Sequence, residues 1–233
     1  MPDRVIAIGD IHGCSTALSS LLDAIHPQAS DTLVPLGDYV DRGPDTPGAL
    51  DLLIRLREAC QLVPILGNHD QMFLNVMRGE LDSDLWAGCG GAETLESYHY
   101  AGDFSIVPAR HVEFLEQCID FYETDTHFFV HANYDAGVPL ENQNDIALRW
   151  RKLSEEVPLP HVSGKIAVVG HTPNEEGKIF DVGHLRCIDT YCYGGRWLTA
   201  IDVTTDQVWQ TDQEGNVREN ECDTIRDNRR DSD

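Results

Sequence analysis

No uninterrupted apolar run in this 233-residue sequence approaches the roughly 20 residues needed to cross a bilayer. No secretory leader pattern opens it, because Met1-Pro2-Asp3-Arg4 passes directly into Val5-Ile6-Ala7-Ile8. Membrane residence and secretion are not expected, and a cytoplasmic location is. Paired cysteine spacing is missing too: the 7 thiols, Cys14, Cys60, Cys89, Cys118, Cys187, Cys192 and Cys222, are odd in number and contain no C-x-x-C. A zinc ribbon and a disulfide scaffold drop out, and reduced thiols are expected. Basic residues are scarce, 17 against 40 acidic ones, for a formal charge of −23. Without a basic stripe to neutralise a phosphate backbone, no nucleic-acid partner is expected. A compact anionic substrate remains compatible wherever positive charge is concentrated locally. There is no internal repeat.

What is present suits one large domain. Hydrophobic residues make up 41% and charged residues 24%, enough apolar material for a real core. Arg4 to Ile8, Thr32 to Leu36 and Leu62 to Leu66 read as strands. Between them lie helical stretches, Ser15 to Ile25 with Leu18, Leu21, Leu22 and Ile25 in register, and one opened by Thr46-Pro47. This β-α-β-α-β alternation predicts an α/β fold with parallel neighbours and helices covering the sheet. Residues 71–118 read as a small helical cap inserted between strands. From Phe121 onward strands dominate, and antiparallel pairing through short turns is expected. The domain is drawn as 1–210, with 211–233 an acidic, solvated and mobile end.

The chemistry sits where strands stop. The first three runs lead into Gly9-Asp10-Ile11-His12-Gly13, Gly37-Asp38-Tyr39-Val40-Asp41-Arg42-Gly43 and Gly67-Asn68-His69-Asp70. Two later runs lead into His131-Ala132-Asn133 and Gly170-His171-Thr172. In an open α/β sheet the carboxyl ends of parallel strands share one edge, so these turns are expected to meet in one cleft. Asp10, His12, Asp38, Asn68, His131 and His171 form a mixed oxygen and nitrogen donor set suited to manganese, iron or zinc. Six donors exceed what one open catalytic ion takes. Two ions about 3.5 to 4 Å apart, bridged by Asp38, use them all. With Arg42 nearby, the local charge becomes about +3 inside a strongly acidic chain, a place for a phosphate.

These motifs, in this order across residues 9 to 172, resemble the phosphoprotein phosphatase family of metallophosphoesterases, and the D-R-G extension at Asp41-Arg42-Gly43 is the specific part. The likeness continues through Ile188-Asp189-Thr190 and Gly194 to Ala200, as in the bacterial serine/threonine phosphatases. The resemblance implies a β-sandwich flanked by helices in four αββα layers with a small cap. It implies two divalent ions, manganese first and iron or zinc as alternatives. Asp10, His12 and Asp38 would hold one ion, and Asp38, Asn68, His131 and His171 the other. In-line attack by a water or hydroxide on the metal pair follows. His69 matches the general acid, Asp41 its orienting carboxylate, and Arg42 with Asn68 the phosphate grip. A second arginine belongs between His131 and His171, where Arg149 is preferred and Arg151 is the alternative.

The chain departs from the family's frequent glutamate at Asp70 and from the eukaryotic glycine pair at Ala132-Asn133, and neither change removes a donor. The implied substrate is phosphoserine or phosphothreonine in proteins, or a small phosphate ester. A symmetrical dinucleoside tetraphosphatase keeps the same metals and differs in the cap, and a non-catalytic phosphate-binding protein is the third reading. His26, His99, His111, His127, His161 and His184 match no motif and read as structural, Cys14 as a packing residue. Trp86, Tyr98 and Tyr100 fall in the cap, facing a direction that spacing alone leaves open.

Overall fold

Short apolar runs separated by amphipathic helices build the first sheet. β1 (Val5–Ile8) pairs in parallel with β2 (Thr32–Pro35), and α1 (Ser15–Ile25) makes the crossover between them. The second crossover is α2 (Thr46–Leu56), capped by the Asp45 carboxylate, which accepts the Gly48 N–H, with Pro47 in the first turn. The computed structural model describes residues 3–219 and 224–226. β3 covers only Gln61–Leu62, shorter than the expected Leu62 to Leu66, and Ile65 forms an isolated bridge to Ile119. Pro64 has no N–H to give a ladder.

The helical stretch follows: α3 (Asn68–Met77), α4 (Ser83–Trp86), a kink over Ala87–Gly91 where Gly90 takes φ 113°, α5 (Ala92–Ser97) and α6 (Ala109–Glu116). It joins one sheet to the other. β4 (Phe121–Glu123) and β5 (His127–Val130) open the second sheet, α7 (Asp145–Arg149) lies in the long connection beyond them, and β6 (Ile166–Val169), β7 (Ile179–Asp181) and β8 (Leu185–Cys187) continue it. β9 (Leu198–Asp202), β10 (Val208–Thr211) and β11 (Val217–Glu219) return to the first sheet, and β12 (Thr224–Arg226) joins the second. The orders are β11-β10-β9-β1-β2-β3 and β12-β7-β8-β6-β5-β4.

Two expectations are corrected here. Antiparallel pairing holds for β4 with β5, β7 with β8, β9 with β10 and β10 with β11, but β5 with β6 and β6 with β8 are parallel, because residues 131–165 and 170–184 form connections long enough for a crossover. The chain also does not leave the fold at 211. Thr211 pairs with Val217 across a turn in which the Asp212 carboxylate accepts the N–H groups of Glu214 and Asn216, and Arg218 lies 4.1 Å over the Trp197 ring. Its acidic composition masks a short alternating strand. Residues 220–223 and 227–233 of that expected tail lie outside the described residues.

Strand alternation sorts the core into layers. Ile6 and Ile8 face α1 and α2, together with Leu18, Leu21, Leu50 and Leu53. Ala7, Val34 and Ile201 of the first sheet meet Phe129, Val168 and Ile179 of the second. Phe128 and Val130 point the opposite way, toward Tyr134, Leu140 and Leu148 beside α7. The result is a β-sandwich between helical layers. No described helix is long and apolar enough to cross a membrane.

Phe129 is fully buried between the sheets. Phe129→Ala should cost about 3 to 5 kcal/mol of stability, read from the shift of the urea unfolding midpoint at an unchanged slope.

Candidate metal centre

The ends of β1 and β2 from one sheet meet the ends of β5 and β6 from the other. The donors therefore converge at the mouth of a sandwich, where an open sheet was the simplest expectation. Asn68, His69 and Asp70 form the first turn of α3, which begins earlier than the apolar spacing suggests. The backbone marks the same region. Of nine described non-glycine residues at positive φ, five are His12, Asp38, Asp41, Arg42 and His171. Such conformations cost roughly 1 to 3 kcal/mol each, so their concentration here is held by surrounding contacts.

Asp38 is the hub. The buried Asp70 carboxylate accepts N–H groups from Asp38 at 2.8 Å, Tyr39 at 2.9 Å and Gly67 at 3.0 Å, latching the Asp38 turn to the start of α3. The His69 N–H donates to Asp38 Oδ1 at 3.0 Å. Two glycines make this approach feasible. A Cβ on Gly67 would lie 2.2 Å from Asp38 Oδ1, and one on Gly37, at φ 105°, would lie 2.8 Å from His131 Nδ1.

Imidazoles flank this carboxylate with their tautomers set by the backbone. His12 Nδ1 bonds the Val40 carbonyl at 2.8 Å and His131 Nδ1 bonds the Leu36 carbonyl at 2.7 Å, which makes Nδ1 the donor and turns each Nε2 lone pair toward the centre of the site. His12 Nε2 is 3.4 Å from Asp38 Oδ2, and His131 Nε2 is 3.4 Å from Asp38 Oδ1, so each oxygen serves one imidazole. Asn68 Oδ1 is 3.0 Å from His131 Nε2. The His171 Nε2 bonds the Trp150 carbonyl at 3.0 Å, directing Nδ1 toward its neighbours, and its ring centroid is 5.0 Å from that of His131. Burial holds the His12 and His171 imidazoles down at about 3, so both are neutral, the form a metal takes. Burial opposes the Asp38 charge, yet the surrounding histidines, His131 foremost, hold its carboxyl below the usual range.

Among the described residues, two groups bring donor atoms within 4.8 Å of one another: His12, Asp38 and His69, and Asp38, His131 and His171. Both share Asp38. Asp10 belongs to neither group. Its oxygens accept the His171 N–H at 3.2 and 3.0 Å, and burial together with the Asp189 and Asp38 charges raises its proton affinity. A cation is what such crowded carboxylates fit.

His69 Nδ1 lies 2.8 Å from Asp41 Oδ2. Burial works against its protonation, but Asp38 and Asp41 outweigh that and hold the imidazole above the ordinary histidine range. Arg42 Nη1 is 3.0 Å from His12 Nε2, and its guanidinium lies 4.7 Å over the Tyr193 ring, which in turn meets His12 edge-on at 4.7 Å. Arg149 and Arg151 are both held by carboxylates. Arg149 is buried against Asp120 and lies 3.0 Å from Asp145 Oδ2, while Arg151 pairs with Asp135 at 2.7 Å. Sequence reasoning missed the direct role of Asp70, Trp86 and Thr94 in holding the site. Only Asp70, three residues past an N-cap glycine, carried a local signal.

Residues 3–209 match the family model described as calcineurin-like phosphoesterase. Serine/threonine-protein phosphatase 1 of Salmonella typhimurium is 34% identical over 211 residues, covering 86% of this chain and 92% of that protein. The symmetrical bis(5'-nucleosyl)-tetraphosphatase of Nitrosomonas europaea is 36% identical over 127 residues, covering 54% of this chain and 43% of that one. The crystal structure of a protein provisionally described as a diadenosine tetraphosphatase superposes with a TM-score of 0.66 at 23% identity, covering 93% of this chain and 92% of that one.

Asp38→Ala should lose both bound metal and turnover, measured by plasma mass spectrometry and phosphate release. His69→Ala should keep its metal while turnover falls by about a hundredfold or more. Two retained ions at full rate in Asp38→Ala would remove Asp38 from the centre of the site.

Proposed function

The chain belongs to the calcineurin-like phosphoesterase family, and from that membership we propose that it is a protein phosphatase acting on phosphoserine and phosphothreonine. Hydrolysis of a phosphate ester is the activity that the family's description carries. The narrower reading is supported by extent: the likeness to the Salmonella phosphatase runs along nearly all of both chains, whereas that to the tetraphosphatase covers about half of this one. The unpaired spacing of its cysteines supports a reducing compartment, the cytoplasm.

The donor set fits two divalent ions, with manganese preferred and iron or zinc as alternatives. Asp10, His12 and Asp38 would hold one, and Asp38, Asn68, His131 and His171 the other. When bound, the ions supply the acidity that makes water a nucleophile at neutral pH and the charge that receives phosphoryl oxygens. Arg42 grips the phosphoryl group through its planar fork, supported by Asn68. A second arginine, Arg149 before Arg151, serves this grip only by exchanging a carboxylate partner for phosphate.

Water oxygen forms the new bond to phosphorus as the bond to the leaving oxygen breaks. The electron pair stays on that oxygen, His69 Nε2 gives it a proton, and the proton that the attacking water loses passes to solvent, from which His69 is recharged. Asp41 keeps His69 oriented and charged through Nδ1. Alcohol and inorganic phosphate leave.

Hydrolysis of a symmetrical dinucleoside tetraphosphate is the second reading, favoured by the tetraphosphatase names among the similar proteins. A panel of phosphoseryl and phosphothreonyl peptides, diadenosine tetraphosphate and p-nitrophenyl phosphate, run with manganese-loaded protein, separates the two. Peptide turnover well above that of the dinucleotide is expected. Turnover of the dinucleotide alone would replace the first reading by the second, and no turnover of any of them, with metal bound, would leave a binding protein.

A further inference from the structure

The helical segment between the two sheets is the expected seat of substrate choice, yet its tryptophan faces inward. Trp86, the last residue of α4, is fully buried, with its ring against Phe73 at a centroid distance of 5.5 Å. Gly91 lies flush on the indole, where a Cβ would come within 2.3 Å of the ring. The indole N–H donates to Asp41, 2.9 Å from Oδ2 and 3.1 Å from Oδ1. Thr94 of α5, also fully buried, donates its hydroxyl to Asp41 Oδ1 at 3.0 Å and accepts the Asp41 N–H at 2.8 Å. The Thr46 hydroxyl, 3.1 Å away, can then donate to Thr94. One residue on, the Arg42 N–H donates to the Gly90 carbonyl at 2.8 Å.

An ionised carboxylate only accepts hydrogen bonds, and one excluded from water needs several donors to stay ionised. Asp41 has Trp86, Thr94 and His69. The first two tie down the carboxylate so that Oδ2 meets His69 Nδ1 in a single orientation. From these contacts we infer that Trp86 and Thr94 are positioning residues for proton donation: they hold Asp41, and through it the His69 imidazole, with Nε2 toward the leaving oxygen. This rests on His69 being the proton donor, as proposed above. Neither residue touches the reacting atoms. The segment spanning Trp86 to Thr94 thereby becomes part of the acid machinery.

The test exploits the leaving group, because proton donation matters most when the departing oxyanion is a poor one. Trp86→Phe deletes the indole donor and leaves a smaller ring in its place, and Thr94→Val deletes the hydroxyl that donates to Asp41 Oδ1 and accepts the Asp41 N–H, at nearly the same volume. A series of aryl phosphates from p-nitrophenyl to phenyl phosphate is assayed on manganese-loaded protein, with metal content measured alongside. For either variant, kcat on phenyl phosphate should fall by about tenfold and on p-nitrophenyl phosphate by less than about threefold, with metal retained. The plot of log kcat against leaving-group pKa should steepen, as it should more strongly in His69→Ala. A uniform fall across the series, or no fall, in both variants while His69→Ala steepens the plot would overturn this inference alone. A plot that stays shallow in His69→Ala would remove the proton-donor reading and this one with it.

Discussion

An ionised carboxylate shut away from water costs several kcal/mol unless charge and hydrogen bonds surround it, and Asp38 is 1% exposed. Much of the mouth of the sandwich follows from meeting that requirement. Four histidines, from β1, α3, β5 and β6 or the turns after them, surround Asp38, and His69, the one held above the ordinary histidine range, brings it positive charge and a backbone N–H. The Asp70 carboxylate anchors the backbone on either side of it by accepting three N–H groups from two segments. The outcome is a carboxylate offering one oxygen to each of two neutral imidazoles, the geometry of a bridge.

That hub explains why the fold concentrates backbone strain and close approach at one place. Left-handed residues turn the chain sharply enough to return donors toward Asp38, and glycines at 37 and 67 let neighbouring turns lie against it. Neither feature stabilises the protein locally. Both are sustained by the three apolar layers behind them, in which each strand alternates between the inter-sheet core and a helical face. A second buried carboxylate, Asp41, repeats the pattern with side-chain donors in place of backbone ones.

The turns that gather round Asp38 were legible in the sequence because each follows an apolar run within a few residues. Asp10, Asp38 and His131 carry that local signature, as do the first crossovers and most strands after Phe121. Less legible was anything set by partners distant in sequence. Period-2 alternation does not say which sheet a strand enters, so the sandwich followed from the family resemblance and not from the strand pattern, and the parallel pairing of β5 with β6 was not foreseen. Trp86 and Thr94 lie 45 and 53 positions beyond Asp41, and neither residue type marks a site by itself. Arg149 and Arg151 follow the expected spacing, but only coordinates could reveal the carboxylates that hold them. The strand at Val217–Glu219 was hidden by an acidic composition that suggests solvation.

The contact between Asp10 and the His171 N–H spans 161 residues, which has a consequence for how the protein matures. At about 5 to 20 residues per second, a ribosome takes on the order of 10 to 30 seconds to deliver the second of these after the first. Throughout that interval the nascent chain holds His12 and Asp38 without the strand that completes their surroundings. The complete donor set, His171 included, therefore exists only once most of the chain has been made, whereas His12, Asp38 and His69 are all present within its first third.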